Sequence, residues 1–144
     1  MLKTHSSEHF GHTLSRLWLF ALLITIFKDL HELATAETIQ GILVGTFEGN
    51  PVTDSGLVAG GIALIVLVAT MVLSVELIPS AARKLNLVVP LFAFAGLFML
   101  PPNDPDDYLL ASATGATFLL ILYLSWGWQT EGAAREIKEA RHVR

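Results

Sequence analysis

Residues 16–33, RLWLFALLITIFKDLHEL, decide how the rest of the chain reads. An uninterrupted apolar run, 17–27, is followed by Lys28, Asp29, His31 and Glu32 in the last turns of what should be one helix. A helix over 14–33 rises roughly 30 Å, just enough to cross a hydrocarbon core. Ionisable groups in such a helix are costly, so this charged turn is the first candidate for function.

Composition agrees with a membrane setting. Of 144 residues, 53% are hydrophobic and 15% charged. Soluble domains carry about 25% charged residues, so the deficit points to lipid. The length allows one domain. The absence of cysteine excludes disulfides, thiolate metal sites and thiol redox chemistry. The first apolar run has Lys3 and Arg16 upstream and small residues downstream, as a secretory signal does. Its far end is charged where a cleavage region is neutral, however, and further apolar segments follow, so it reads as a retained span.

Three more spans are expected, at about 54–78, 85–100 and 108–128. Thr53, Asp54 or Ser55 can cap the second by accepting from orphan N–H groups. Gly56 and Gly60 form a G-x-x-x-G, and Ser112, Gly115, Ala116 and Thr117 offer a second small-residue face; both predict close helix packing in lipid. Pro79 should stop the second span, with 80–86, SAARKLN, as a tight basic connector. Pro90 falls in the first turns of the third span. The stretch 101–107, PPNDPDD, reads as a rigid acidic turn. Trp18, Trp126 and Trp128 read as interfacial rings, and Glu76 as a local partner of Arg83 or Lys84. Residues 34–53 are too short and polar to cross. Ile39, Ile42, Leu43 and Phe47 could line one side of a short helix that rests on the membrane surface or folds back among the spans. Gly49-Asn50-Pro51 signals a turn.

Orientation follows from charge. Lys3, Arg16, Arg83, Lys84, Arg135, Lys138, Arg141 and Arg144 fall on the side of both termini, and only Lys28 lies within a span. Both termini are therefore expected in the cytoplasm, with the acidic connections outside. A multi-pass protein of a bacterial plasma (inner) membrane fits this pattern. The tail, 129–144, is expected as a solvated cytoplasmic helix.

The charged turn supports two readings. In one, the helix leaves the membrane here and Lys28 snorkels to the headgroups. In the other, Asp29 and Glu32, with His31 and Lys28 beside them, face the remaining spans and handle a proton, a cation or a polar solute. Near the N-terminus His5, Glu8, His9 and His12 share a helical face and form a weak metal-ligand set beside the simpler reading of a solvated end. No cofactor is implied, and nothing points to nucleic acid.

The motif Phe27-Lys28-Asp29-Leu30-His31-Glu32-Leu33, then Ile39-Gln40-Gly41-Ile42, Pro51-Val52-Thr53 and the break at Pro79, resembles a family of small four-helix bacterial integral membrane proteins classed as a domain of unknown function. More distantly the chain is similar to DoxX-type membrane proteins. The resemblance implies a four-span fold, with Asp29 matching the family's acid, and implies no activity.

The expected architecture is therefore all-α: a four-helix transmembrane bundle with a short re-entrant or interfacial segment between its first two helices. The leading functional expectation is a small transporter or channel subunit, acting as a homo-oligomer in the bilayer. An accessory or scaffold subunit of a larger membrane complex is the alternative. A membrane enzyme acting on lipid or quinone ranks below both, because no nucleophile or substrate is identifiable.

Overall fold

A computed structural model describes residues 4–47, 50–98 and 105–128, with side chains from His9 onward. These residues are mostly helical: α1 (Thr4–Leu33), α2 (Ala36–Leu43), α3 (Asp54–Glu76), α4 (Pro79–Gly96) and α5 (Pro105–Gly127). Between α2 and α3, the two-residue strands β1 (Thr46–Phe47) and β2 (Asn50–Pro51) pair antiparallel, with Thr46 opposite Pro51. Three segments, His9–Leu33, Asp54–Glu76 and Pro105–Gly127, are long and apolar enough to cross a membrane.

The boundaries differ from the sequence expectation in instructive places. The first helix begins well before Leu14, at Thr4. The expected connector 80–86 is the start of α4, because Pro79 stands at a first-turn position, where its missing N–H costs nothing, and Ala81, Ala82, Arg83, Lys84 and Leu85 are good helix formers. Pro79 thus opens a helix as well as barring the previous one. The last part of the expected acidic turn, 105–107, is likewise the start of α5, whose first turn holds Asp106 and Asp107, while 101–104 lie outside the described residues. The Thr53 cap holds: its hydroxyl accepts from Gly56 N–H at 3.1 Å.

Helix α1 packs against α3 and α5, and α4 packs against the same two and touches α1. Their shared core contains Leu14, Trp18, Ala21, Ala82, Phe118 and Ile121. Gly11 lets α1 and α3 approach closely; a Cβ there would stand 2.7 Å from the Ser74 carbonyl oxygen.

Trp18 is not an interfacial ring. It is fully buried, and its indole N–H donates to Asn86 Oδ1 at 2.6 Å. Asn86 in turn donates to Ser74 Oγ at 2.9 Å and to the Ala82 carbonyl at 2.8 Å. Ser74 also donates to the Thr70 carbonyl at 2.6 Å. This network ties α1, α3 and α4 together and satisfies polar groups whose burial would otherwise be costly. Trp128 is also buried, stacked on Phe10 with ring centroids 5.8 Å apart, whereas Trp126 is exposed.

At this same end Arg83 reaches across to α5. Its Nε donates to the Ser125 carbonyl at 3.0 Å and its Nη2 to the Trp126 carbonyl at 3.2 Å. The last carbonyls of a helix lack intrahelical donors and carry partial negative charge. Arg83 therefore serves α5 as a C-terminal cap supplied by another helix, and it is to α5, not to Glu76, that it turns.

Candidate functional site

The opposite end of the α1–α5 pair holds the charged turn. The two helices run antiparallel, so the last turns of α1 meet the first turn of α5. Cations are favoured at a helix C-terminus and anions at an N-terminus. Lys28 and His31 lie on the α1 side of this junction, Asp106 and Asp107 on the α5 side, so both helix dipoles favour the pairing.

Lys28 is the centre. Its ammonium bonds the Glu32 carboxylate one turn on, and lies 3.2 Å from Asp107 Oδ1. The Asp107 side chain is 6% exposed, Glu32 13% and Lys28 27%. Two nearly buried carboxylates therefore share one ammonium. Farther out, His31 Nε2 lies 3.0 Å from Asp106 Oδ2, both side chains being about half exposed. That contact is an ion pair only when the imidazole is protonated. The Phe27 ring stacks on His31 at 6.1 Å between centroids, covering one face of the imidazole.

Of the residues singled out from sequence, Lys28, His31 and Glu32 come together at this junction, while Asp29 is on an exposed side of α1. Lys28 points inward to α5 rather than outward to headgroups. Asp106 and Asp107 were read only as parts of a turn. Two acids following a proline and preceding an apolar run do signal a helix first turn, but that signal does not name Lys28 as the partner of Asp107.

The other candidates lie elsewhere. Gly56, Gly60, Ser112 and Ala116 are all exposed; a Cβ on Gly60 would have nothing within 4 Å, and one on Gly56 would meet only its own cap residue, Thr53. Close packing within the chain is made at Gly11 and, on the second small-residue face, at Gly115, where a Cβ would stand 3.3 Å from the Phe94 ring. His9 and His12 are exposed on α1, the side chains of His5 and Glu8 lie outside the described residues, and no cluster that could hold a metal occurs among the described residues. The expected tail, 129–144, also lies outside them.

Comparison with protein-family models, curated proteins and solved structures found no match. The site must be read from its own chemistry.

Proposed function

We propose that the chain is an integral membrane protein in which α1, α3, α4 and α5 cross the bilayer, with both termini on the basic, cytoplasmic side. The charged junction of α1 and α5 then lies at the outer surface, where it takes up a proton, a cation or a small cationic solute for transport. The observation that carries this reading is the cluster at Lys28: its ammonium meets both Glu32 and Asp107, whose side chains are nearly buried. Ionisable groups gathered in this way at the end of a membrane-spanning helix are costly to keep there, and such groups mark the paths of protons and cations. The half-exposed His31–Asp106 contact lies at the rim of this cluster. Helices of this length enclose little volume, so passage across the membrane takes place in an oligomer of the chain.

The test is flux into proteoliposomes. Asp107→Asn removes one carboxylate of this cluster while keeping the side chain's shape, and should suppress proton or cation entry. Unchanged flux in that variant, with protein incorporation equal to wild type, would sink the proposal.

The accessory-subunit reading keeps one specific support. The first half of α3, from Asp54 to Ala63, is exposed along its whole length. Purification from native membranes as an oligomer of this chain alone would count against that reading; a fixed heteromeric complex would favour it.

A further inference from the structure

The helix α2 is amphipathic, and none of its residues is buried by the rest of the chain. At about 100° per residue, Ile39, Ile42 and Leu43 fall in one sector, with Glu37 and Gly41 opposite and Gln40 to one side. Glu37 and Gln40 are exposed, and contact with the following hairpin is made at Gly41. Thr46 Oγ1 donates to the Gly41 carbonyl at 3.2 Å, and a Cβ on Gly41 would stand 3.1 Å from the Thr46 carbonyl oxygen. The apolar side is left uncovered. Leu43 is 80% exposed and Val44 78%, Ile39 and Ile42 are nearly half exposed, and α2 buries no residue.

In water such an arrangement is unfavourable, because the apolar area is removed from nothing. It becomes favourable where the apolar side meets acyl chains. Candidate spans flank the segment on both sides: α1 ends at Leu33 and α3 begins at Asp54. The exposed apolar surface of α1 continues through Leu30 and Leu33 to the joint with α2. A helix starting at Ala36 therefore lies at the depth where hydrocarbon gives way to headgroups. We propose that α2 is an in-plane membrane anchor that seats Ile39, Ile42 and Leu43 in the headgroup–acyl boundary of the bilayer crossed by α1 and α3.

The anchor is joined rigidly to the charged turn. The Thr35 backbone N–H and hydroxyl both donate to the Glu32 carbonyl, at 3.1 and 3.0 Å. The same hydroxyl caps α2 by accepting from Thr38 N–H. Holding α2 in the interface therefore fixes how deep Glu32 and Lys28 sit. The inference rests on the membrane reading above but not on transport.

The absence of native cysteine permits a direct test. Single-cysteine variants at Glu37, Ile39, Gln40, Ile42 and Leu43 carry a nitroxide spin label in phosphatidylethanolamine–phosphatidylglycerol vesicles. Collision with oxygen, which concentrates in acyl chains, is compared with collision with a water-soluble nickel chelate. Labels at Ile39, Ile42 and Leu43 should be oxygen-accessible and at least several-fold more protected from nickel than those at Glu37 and Gln40. Equal nickel access at all five positions, or low access to both reagents on the apolar side because protein covers it, would overturn the anchor. Labels at Ile65 of α3 and Leu119 of α5, both exposed, separate the two readings. If they too collide freely with nickel, the membrane-spanning reading itself has failed.

Discussion

Replacing Lys28 by Met removes the ammonium at the centre of the α1–α5 junction and keeps most of the side chain's volume. At 3.2 Å from Asp107, and with an effective dielectric constant of about 20, the attraction lost is about 5 kcal/mol before desolvation is counted. Removing one partner of a buried pair typically costs about 3–5 kcal/mol, because the remaining charge stays uncompensated. Lys28 and Glu32 retain 27% and 13% exposure, so water moderates the loss, and a destabilisation of about 2–3 kcal/mol is expected. That is about 30- to 150-fold in the folding equilibrium. The assay is an SDS-unfolding titration in mixed micelles, run on wild type, Lys28→Met, Asp107→Asn and the double variant. Asp107→Asn on the Lys28→Met background should recover part of the loss, giving a coupling of at least about 1 kcal/mol between the two positions. A Lys28→Met variant within about 0.5 kcal/mol of wild type, or strictly additive effects, would mean the trio behaves as an exposed surface pair and would refute the reasoning.

Asn86→Leu should destabilise the fold by about 2–4 kcal/mol, since it strands the Trp18 indole N–H and weakens the tie to Ser74 in a buried setting; the same titration, with Trp fluorescence as a second signal, reads it. Gly11→Ala should cost about 1–3 kcal/mol by forcing α1 from the Ser74 carbonyl, whereas Gly60→Ala, with open space around it, should be neutral or stabilising by up to about 1 kcal/mol. Equal effects at the two glycines would contradict the placement of α1 on α3. Arg83→Met should cost about 1–2 kcal/mol by uncapping α5, with faster amide exchange confined to its last turn.

Features carried by local chemistry were legible in the sequence. The apolar runs mark α1, α3 and α5, and Thr53 announces the start of α3. The charged turn of α1 was conspicuous because ionisable residues interrupt apolar sequence. The residues that face it were not, because Asp107 reaches Lys28 through the packing of α1 on α5, and no local pattern encodes that pairing. Trp18 failed as an interfacial ring for the same reason. Its depth suited a headgroup position, but its partner Asn86 lies in what read as a basic connector, and only the fold brings them together. The small-residue faces divide: Gly115 on the second packs against Phe94, whereas Gly56 and Gly60 have the right spacing but make no close approach to another helix within the chain.

The central claim is that the Glu32–Lys28–Asp107 trio takes up positive charge at the outer surface. Proteoliposomes loaded with a pH-sensitive dye and subjected in turn to proton, sodium and potassium gradients test it most directly. Wild type should dissipate at least one gradient faster than protein-free vesicles, Glu32→Gln and Asp107→Asn should each slow that flux about tenfold or more, and Asp29→Asn, on the exposed side of α1, should have much less effect. Wild-type vesicles that leak no faster than empty ones under every gradient, or trio variants that conduct as wild type does, would contradict it.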